Sequence, residues 1–492
     1  MIPESPIAIE RIREAWPQGQ RGWLVGGVVR DLLLNRRLHD VDLATAGDAV
    51  GAARRLANVL GGAFYVLDAE RGVGRALVEI EGDRLTIDVA RLRGPDLETD
   101  LRARDFTLNA LAIDLASPED LIDPLGGYAH LRAKRIAACA PTAIAEDPVR
   151  AIRAVRLAAQ LNFQIDRDTR ALVKGASLAT VSAERIRDEF LRCVGGRRPA
   201  AALRGLELTG LLEQIAPELL ALRGVTQSPP HQMDVWEHTL TVVERLDEIF
   251  NLLGPVHDVD AASDLTYGWI SVRLGRYRHE ISQRVAEEPT PGRPRRWLAM
   301  LAALLHDAGK PSTRTVDDSG RIRFLGHETS GAALATALLE RLRFSRDEIT
   351  YVRDFVAQHM RPRALTRAHG ESIGGRAIYR FFRAAGDAGP EIVVFSLADT
   401  IAKTIGPPAD QSEWSAHVAG CARLLGAWLD PNAPAVHPPT LVTGDDLQDA
   451  LDLKPGPLIG RLLEAIRESQ AAGEVVDREG ALALARTMLP RS

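Results

Sequence analysis

Apolar positions follow two rhythms along this chain, alternating at the front and helical afterwards. Trp23, Leu24 and Val25 form a short apolar run that Gly26-Gly27 interrupts. Val28 to Leu34 then has the density of a short buried helix, and His39 to Ala44 alternates. Side chains alternate faces along a strand, so Val41 and Leu43 point one way and Asp40 and Asp42 the other. Ile7 to Trp16 is an amphipathic entry helix, and Asp48 to Leu60 is a second helix stopping at Gly61-Gly62. Ala63 to Leu67, Ala76 to Ile80 and Arg84 to Ala90 are predicted strands; in the last, Leu85, Ile87 and Val89 share a face and Asp88 takes the other. Leu101 to Leu115 has, by density alone, the pattern of a buried helix with an ion pair. Beyond about residue 140 the spacing is helical.

Composition adds bounds. The 492 residues are enough for several domains, and 46% hydrophobic with 26% charged residues is ordinary for a globular protein. Cys139, Cys193 and Cys421 stand far apart, which fits a reducing cytosol and excludes a disulfide framework or a thiolate zinc site. The first residues, MIPESPIAIERIREAW, lack the basic and apolar blocks of a signal peptide, and no apolar run reaches the ~18 residues of a membrane span. Net charge is −5, yet Arg132 to Arg204 holds 15 Lys plus Arg against seven Asp plus Glu, an excess of eight. Such a basic block in an acidic chain points to a phosphate-backbone partner, with a merely basic helical surface as the plain alternative.

Asp40 and Asp42 on one strand face repel each other, a cost that makes sense if a divalent cation sits between them. Oxygen ligands suit Mg²⁺, which takes one or two carboxylates plus substrate phosphates. The Gly26-Gly27 turn before a helix offers amides to an anion, and Arg30 on that helix adds charge. A lone D-x-D is usually a turn or a solvated face; GGVVRD followed by DVD is far more specific. This stretch resembles the polymerase-beta type of nucleotidyltransferase, and within it the class II tRNA nucleotidyltransferase and bacterial poly(A) polymerase branch, the CCA-adding and A-adding enzymes. The resemblance implies an α+β protein: a polymerase-beta-like head with a small mixed sheet, then an all-α neck, an all-α third domain and a helical tail. It implies Asp88 as a third catalytic carboxylate beside Asp40 and Asp42. LRARDFTLNALAIDL resembles the family's R-R-D-F-T-x-N-A segment, with Arg104, Asp105 and Asn109 matching and Ala103 replacing the first arginine. Arg104 and Asn109 are thereby expected at the nucleotide. Asp123 to Ile136 resembles the segment joining head to neck, where Gly126-Gly127 fits a hinge or an ordinary loop.

In EDPVRAIRAVRLAAQLNF, Arg150, Arg153 and Arg156 form one helical stripe. Asp147 before Pro148 has the look of an N-cap. The same run resembles the family's nucleobase-reading helix, which would make Asp147, Arg150, Arg153 and Arg156 nucleotide contacts. Ser182, Arg185 and Glu189 in the following helix are expected as structural support.

Further on, LAALLHDAGKPST places adjacent His306 and Asp307 after an apolar helix. With His238 upstream and Asp399 downstream it resembles the HD phosphohydrolase superfamily, whose metal set these four complete; His327 and His359 are expected to extend it to a second ion. Mn, Ni, Co or Fe suits such a nitrogen and oxygen set. His238 and His306 lie about 68 residues apart, so residues from about Asn251 to Arg296 form an insertion, partly mobile, that would silence the site if it covered the metals. PNAPAVHPPT marks a linker, and helices Asp445 to Ala450 and Leu458 to Gln470 flank KPGP in a tail where Lys454 and Arg461 are RNA-contact candidates.

The expected domains are a nucleotidyltransferase head at 1–140, a neck for nucleotide selection and RNA binding at 141–225, an HD domain at 226–430 and a tail at 431–492. The expected activity is template-independent addition of C and A from CTP and ATP to the 3′ end of tRNA, in the cytoplasm, with Mg²⁺ in the head. The alternatives are an A-adding-only or poly(A)-adding enzyme, an HD phosphohydrolase whose head only binds nucleotide or RNA, and a protein-modifying nucleotidyltransferase. The poly(A) branch carries a GRRF-type segment after its paired acids, where this chain has LGGAFYVLDAERGVGRAL.

Overall fold

Alternation in the front part closes into one seven-stranded sheet. The computed structural model describes residues 6–255, 264–404, 406, 408 and 410–489, so the first five residues and part of the 251–296 insertion lie outside the described residues. The strands are β1 (Gly22–Val25), β2 (Asp40–Thr45), β3 (Ala63–Asp68), β4 (Val73–Ile80), β5 (Asp83–Arg91), β6 (Ala112–Asp114) and β7 (Leu121–Ile122). Their order is β3-β4-β5-β2-β1-β6-β7, with β2 and β5 parallel and the remaining neighbours antiparallel. The predicted mixed sheet is therefore present.

One face of this sheet is the main core. Val41, Leu43, Leu85, Ile87 and Val89 pack there with Leu24 and with Ile9, Ile12, Val28, Val29, Ala53 and Leu56 from three helices. The helix Ala49–Leu60 starts where the Asp48 side chain accepts from Gly51 N–H and stops at left-handed Gly61. The opposite face is covered over only part of its area, by a small cluster of Trp23, Val25, Ala44, Leu101, Ala110 and Ala112. Asp40, Asp42 and Asp88 project on that second, more open face, because they alternate with the core residues.

One reading of this region needs correction. Leu101 to Leu115 is not a continuous helix: Leu97–Arg102 is helical, Thr107–Asn109 is a 3₁₀ turn and Ala112–Asp114 is β6. Its backbone groups find partners outside the segment, Thr107 N–H at the Ala137 carbonyl and β6 on β1, so an i−4 ladder never forms. Gly126-Gly127 leads into the helix Gly127–Arg132. A Cβ on Gly127 would fall 2.0 Å from the Thr107 carbonyl, and Asp123 accepts from the Gly127 and Tyr128 amides. Gly127 is thus tightly packed, while Gly126 before it is exposed with φ of 68°.

The chain folds as two compact units, Met1–Glu189 with Gly205–Leu211, and Phe190–Arg204 with Leu212–Ser492. After the sheet, the first unit is helical apart from a two-residue parallel pairing of Arg135–Ile136 with Gln164–Ile165. The second is built mainly of helices, including Val235–Leu252, Arg295–Leu305, His327–Arg341, Arg346–Gln358 and Gly389–Ile401, with one short hairpin of Arg314–Val316 and Ile322–Phe324. Within the 251–296 stretch, Leu265–Leu274 and Arg278–Ala286 are helices. Hydrogen bonds tie them to Glu248, Leu252, Asp387, Glu391 and Trp414, none of them in the metal set. The tail has the two expected helices, Gly444–Leu451 and Pro457–Ala471, and a third, Arg478–Thr487, that the spacing did not announce. All three share a core around Leu447, Leu462, Ile466 and Ala481.

Candidate catalytic and metal sites

In the head, register does what spacing alone does not. Parallel β2 and β5 pair Asp42 with Asp88, so these two acids are lateral neighbours on one face. Asp40 lies two positions before Asp42 on that face. Burial beneath the surrounding side chains pushes the Asp42 carboxyl up to about 6; Arg104 opposes the shift, and Asp88 and Asp40 add to it. The residue as a whole is nonetheless exposed, so its carboxyl is crowded by neighbouring side chains and still open to solvent.

Gly26 turns the chain into the helix Gly27–Leu33 with φ of 81°, which favours glycine, and a Cβ there would come within 2.8 Å of Arg104 Nη1. Its N–H donates to the Leu111 carbonyl, so that amide is turned away from any anion. Arg30 donates from Nη1 to Asn109 Oδ1 at 2.7 Å and from Nε and Nη2 to Asp31. Asn109 in turn donates to Asp105 at 3.1 Å. Arg104 is braced by buried Asp100 at 2.9 Å. Gly26, Arg30, Arg104, Asn109 and Asp42 thus belong to one neighbourhood. Gly27 is the first residue of that helix.

Behind it, Asp147 ends one short helix, Ala143–Glu146, and precedes the next, Val149–Leu161. The N-cap expectation is not met. Pro148 is the cap position, and no side-chain cap bond forms. Asp147 Oδ2 instead accepts from Arg185 at 2.8 Å, while Oδ1 is shut off from solvent with no hydrogen-bond partner. Arg150 donates to the Ala143 and Ala103 carbonyls at 3.1 Å each, so it bonds backbone where the sequence lacks its expected arginine. Arg153 bridges Asp105 and Glu189, and Arg156 reaches the other Glu189 oxygen at 2.8 Å. Glu189, 3% exposed, is the support that Val181–Val194 was expected to give.

The second unit holds a more enclosed constellation. Two groups have three ligand atoms within 4.8 Å of one another: His238, His306 and Asp307, and Asp307, His327 and His359. Asp399 joins the first through His238 Nε2 at 3.1 Å. Each of the four imidazoles has Nδ1 at a backbone carbonyl: Ala402 for His238, Ala303 for His306, Phe324 for His327 and Val356 for His359. A carbonyl can only accept, so Nδ1 carries the proton and Nε2 keeps its lone pair for the shared space. His306 Nε2 and Asp307 Oδ2 are buried 3.0 Å apart, two electron-pair donors facing each other, with the Lys310 ammonium beside that oxygen as the one local positive charge. Burial drives His359 down to about 3, which keeps it neutral. The donor set therefore fits one or two divalent metal ions.

Three residues here escaped sequence reasoning. Lys310 lies 2.7 Å from Asp307 and Lys403 2.9 Å from Asp399. His231 stacks edge-on against His238 at 5.1 Å. The G-K after His306-Asp307 was a visible signal for Lys310; nothing local marks Lys403 or His231.

Comparison with known proteins fits this geometry. Residues 22–137 match the Poly A polymerase head domain, 162–222 the probable RNA and SrmB-binding site of polymerase A, and 235–403 the HD domain. The chain is 32% identical to the A-adding tRNA nucleotidyltransferase of Deinococcus radiodurans, over 92% of each chain. It is 35% identical to the CC-adding tRNA nucleotidyltransferase of Thermus thermophilus, over 93% of this chain and 92% of that one. A CCA-adding enzyme solved with ATP shares the fold with a TM-score of 0.56 at 20% identity, over 98% of this chain and 96% of that one. Head and HD domains are both of metal-dependent kinds. No helix among the described residues is long and apolar enough to cross a membrane. With acids in register on its sheet, a neck of matched type and relatives aligned nearly end to end, the chain belongs to the tRNA nucleotidyltransferase and poly(A) polymerase family, in the form that carries an HD domain.

Proposed function

We propose that this protein transfers C and A from CTP and ATP to the 3′ end of tRNA without a nucleic-acid template, completing or repairing the CCA end in the cytoplasm. The pairing of Asp42 with Asp88 across β2 and β5 carries the proposal, because it sets two acids side by side on the open face with Asp40 on the same strand. These three would hold Mg²⁺. The bound ion supplies activation of the RNA 3′-hydroxyl and charge neutralisation on the α-phosphate and leaving pyrophosphate. Arg104 and Arg30, with Gly26, Gly27 and Asn109 around them, would orient the triphosphate. Asp147 would accept a hydrogen bond from the amine that C and A both carry, with Arg150, Arg153 and Arg156 holding that helix in place. The basic neck would carry the RNA backbone. We assign the head to 1–140, the neck to 141–225, the HD domain to 226–430 and the tail to 431–492.

The two long relatives are named for different nucleotides, A in one and CC in the other. The test therefore uses tRNA lacking the whole CCA end and tRNA lacking only its last A, with each labelled nucleotide separately. C on the first and A on the second are expected; no addition to either would sink the proposal. The raised Asp42 carboxyl adds a pH signature. Below about pH 6 it is protonated, and protons compete with the cation. Addition at limiting Mg²⁺ is expected to fall toward tenfold per pH unit below 6, with excess Mg²⁺ restoring the rate. A profile between pH 5 and 8 that ignores Mg²⁺ concentration would contradict it.

The four carbonyl-anchored histidines favour a second activity. We propose that His238, His306, Asp307 and Asp399 bind a divalent transition metal such as Mn, Ni, Co or Fe, that His327 and His359 share Asp307 with a second, and that the domain hydrolyses small phosphoesters or 2′,3′-cyclic phosphates. Elemental analysis is expected to find about one or two such ions per chain. Asp307→Ala should lose them together with any hydrolysis while nucleotide addition persists. Absence of both metal and hydrolysis in the metal-replete wild-type protein would reduce the domain to a structural role.

A further inference from the structure

One row of side chains crosses four adjacent strands of the head. Tyr65 on β3 stands opposite Arg75 on β4, Arg75 opposite Asp88 on β5, and Asp88 beside Asp42 on β2. Arg75 meets Asp88 fork to fork, from Nε to Oδ1 at 2.6 Å and from Nη2 to Oδ2 at 2.7 Å. Tyr65, its cross-strand neighbour on β3, lies on the other side of the guanidinium. Both oxygens of the outermost acid are thus engaged by a guanidinium that lies on the side away from Asp42. The side chains of Arg75 and Asp88 are 29% and 24% exposed, so water screens the pair only in part. Among the described residues the tight three-ligand groups are in the second unit; Asp88 is not gathered into such a group with Asp40 and Asp42.

A cation shared by Asp42 and Asp88 draws on the same carboxylate. A fork-to-fork pair occupies a lone pair on each oxygen and fixes the plane of the group. It also places a positive charge beside the position that the ion would take, and like charges at that range repel. We propose that Arg75 is an internal counter-cation of the catalytic acids. It holds Asp88 toward β4, surrenders at least one of its two hydrogen bonds when the divalent ion enters, and so sets how much metal the head requires. Arg75 acts through Asp88 and is a positioning residue. The inference rests on the metal-assisted reading of the head.

A cross-strand ion pair that merely supports the sheet would change melting temperature and leave metal binding alone. The test measures Mn²⁺ binding to the full-length protein by electron paramagnetic resonance, with Asp42→Asn as the blank that subtracts ions held elsewhere. Arg75→Ala and Arg75→Gln are expected to tighten head-site Mn²⁺ at least about threefold, because a competing unit charge is gone. Arg75→Lys, which keeps the charge without the fork, should change it less. The half-saturating Mg²⁺ for nucleotide addition should fall in the same order. Arg75→Gln keeps much of the side-chain length, so it answers the question if Arg75→Ala folds poorly. Affinities within twofold of wild type, or weaker binding, overturn the inference while the metal site stands. If Asp42→Asn binds as much Mn²⁺ as wild type, the metal-assisted head and the role of Arg75 fall together.

Discussion

Asp42→Ala is expected to lower nucleotide addition by at least about 10³-fold while tRNA affinity stays within about threefold. The two effects separate because their residues separate. Asp42 lies on the sheet face beside Asp88, whereas the excess of eight positive charges lies between Arg132 and Arg204. Phosphate contacts in that block set RNA affinity and its salt dependence. Asp42 is crowded and carries a raised pKa, so the change to alanine also relieves repulsion among three acids and should not destabilise the fold. Single-turnover addition and filter binding on the same preparation separate the two quantities. The Asp40/Asp42 double alanine variant is the stricter case: near wild-type addition by it would remove the acids from the chemistry.

Asp147→Asn is expected to leave stability almost unchanged and to relax nucleotide choice by about 100-fold or more. An ionised carboxylate only accepts hydrogen bonds, which matches the exocyclic amine of C or A and mismatches the carbonyl of U or G. A closed site that leaves such groups unpaired discriminates by several orders of magnitude. Asparagine adds a donor at nearly the same shape and so admits the carbonyl. Asp147 caps no helix and its Oδ1 is buried and unpartnered, while its Oδ2 accepts from the half-exposed Arg185 and lies 3.7 Å from Arg150 Nε. Stability therefore has little to lose. The readout is incorporation of all four nucleotides beside the melting temperature. Unchanged selectivity would leave Asp147 as an ion-pair partner of Arg185 and Arg150 only.

Half-buried strands print their period on the sequence, which is why 40–45 and 84–90 were readable as strands with their acids on one face. The pairing of Asp42 with Asp88 was not readable, because parallel register is set by helices packing across the sheet and not by either strand. Arg75 was silent for the same reason: only the antiparallel turn into β5 brings it to Asp88. At Asp147 a local rule misled. Asp-Pro before an arginine-bearing helix is a common cap signature, yet here the preceding residues form a helical turn of their own and tertiary contacts claim the side chain. His306-Asp307 was legible as a motif. The carbonyl behind every imidazole is a backbone matter that residue identities do not display. The third tail helix escaped because its Ala and Leu positions gain meaning only against Leu447 and Ile466.

Both sites are stitched from distant parts of the chain. The Arg30–Asn109 bond spans 79 positions and the contact of His238 with Asp399 spans 161. On a ribosome that distance is time. At roughly 5–20 residues per second, about 8 to 30 seconds pass between the emergence of His238 and that of Asp399. Through that interval a nascent chain already carries the paired strands of the head, while the second unit waits with its ligands uncollected and its apolar helix faces uncovered. An ion arriving then meets loose histidines, not a cage, so loading of the second unit belongs after Asp399 has emerged.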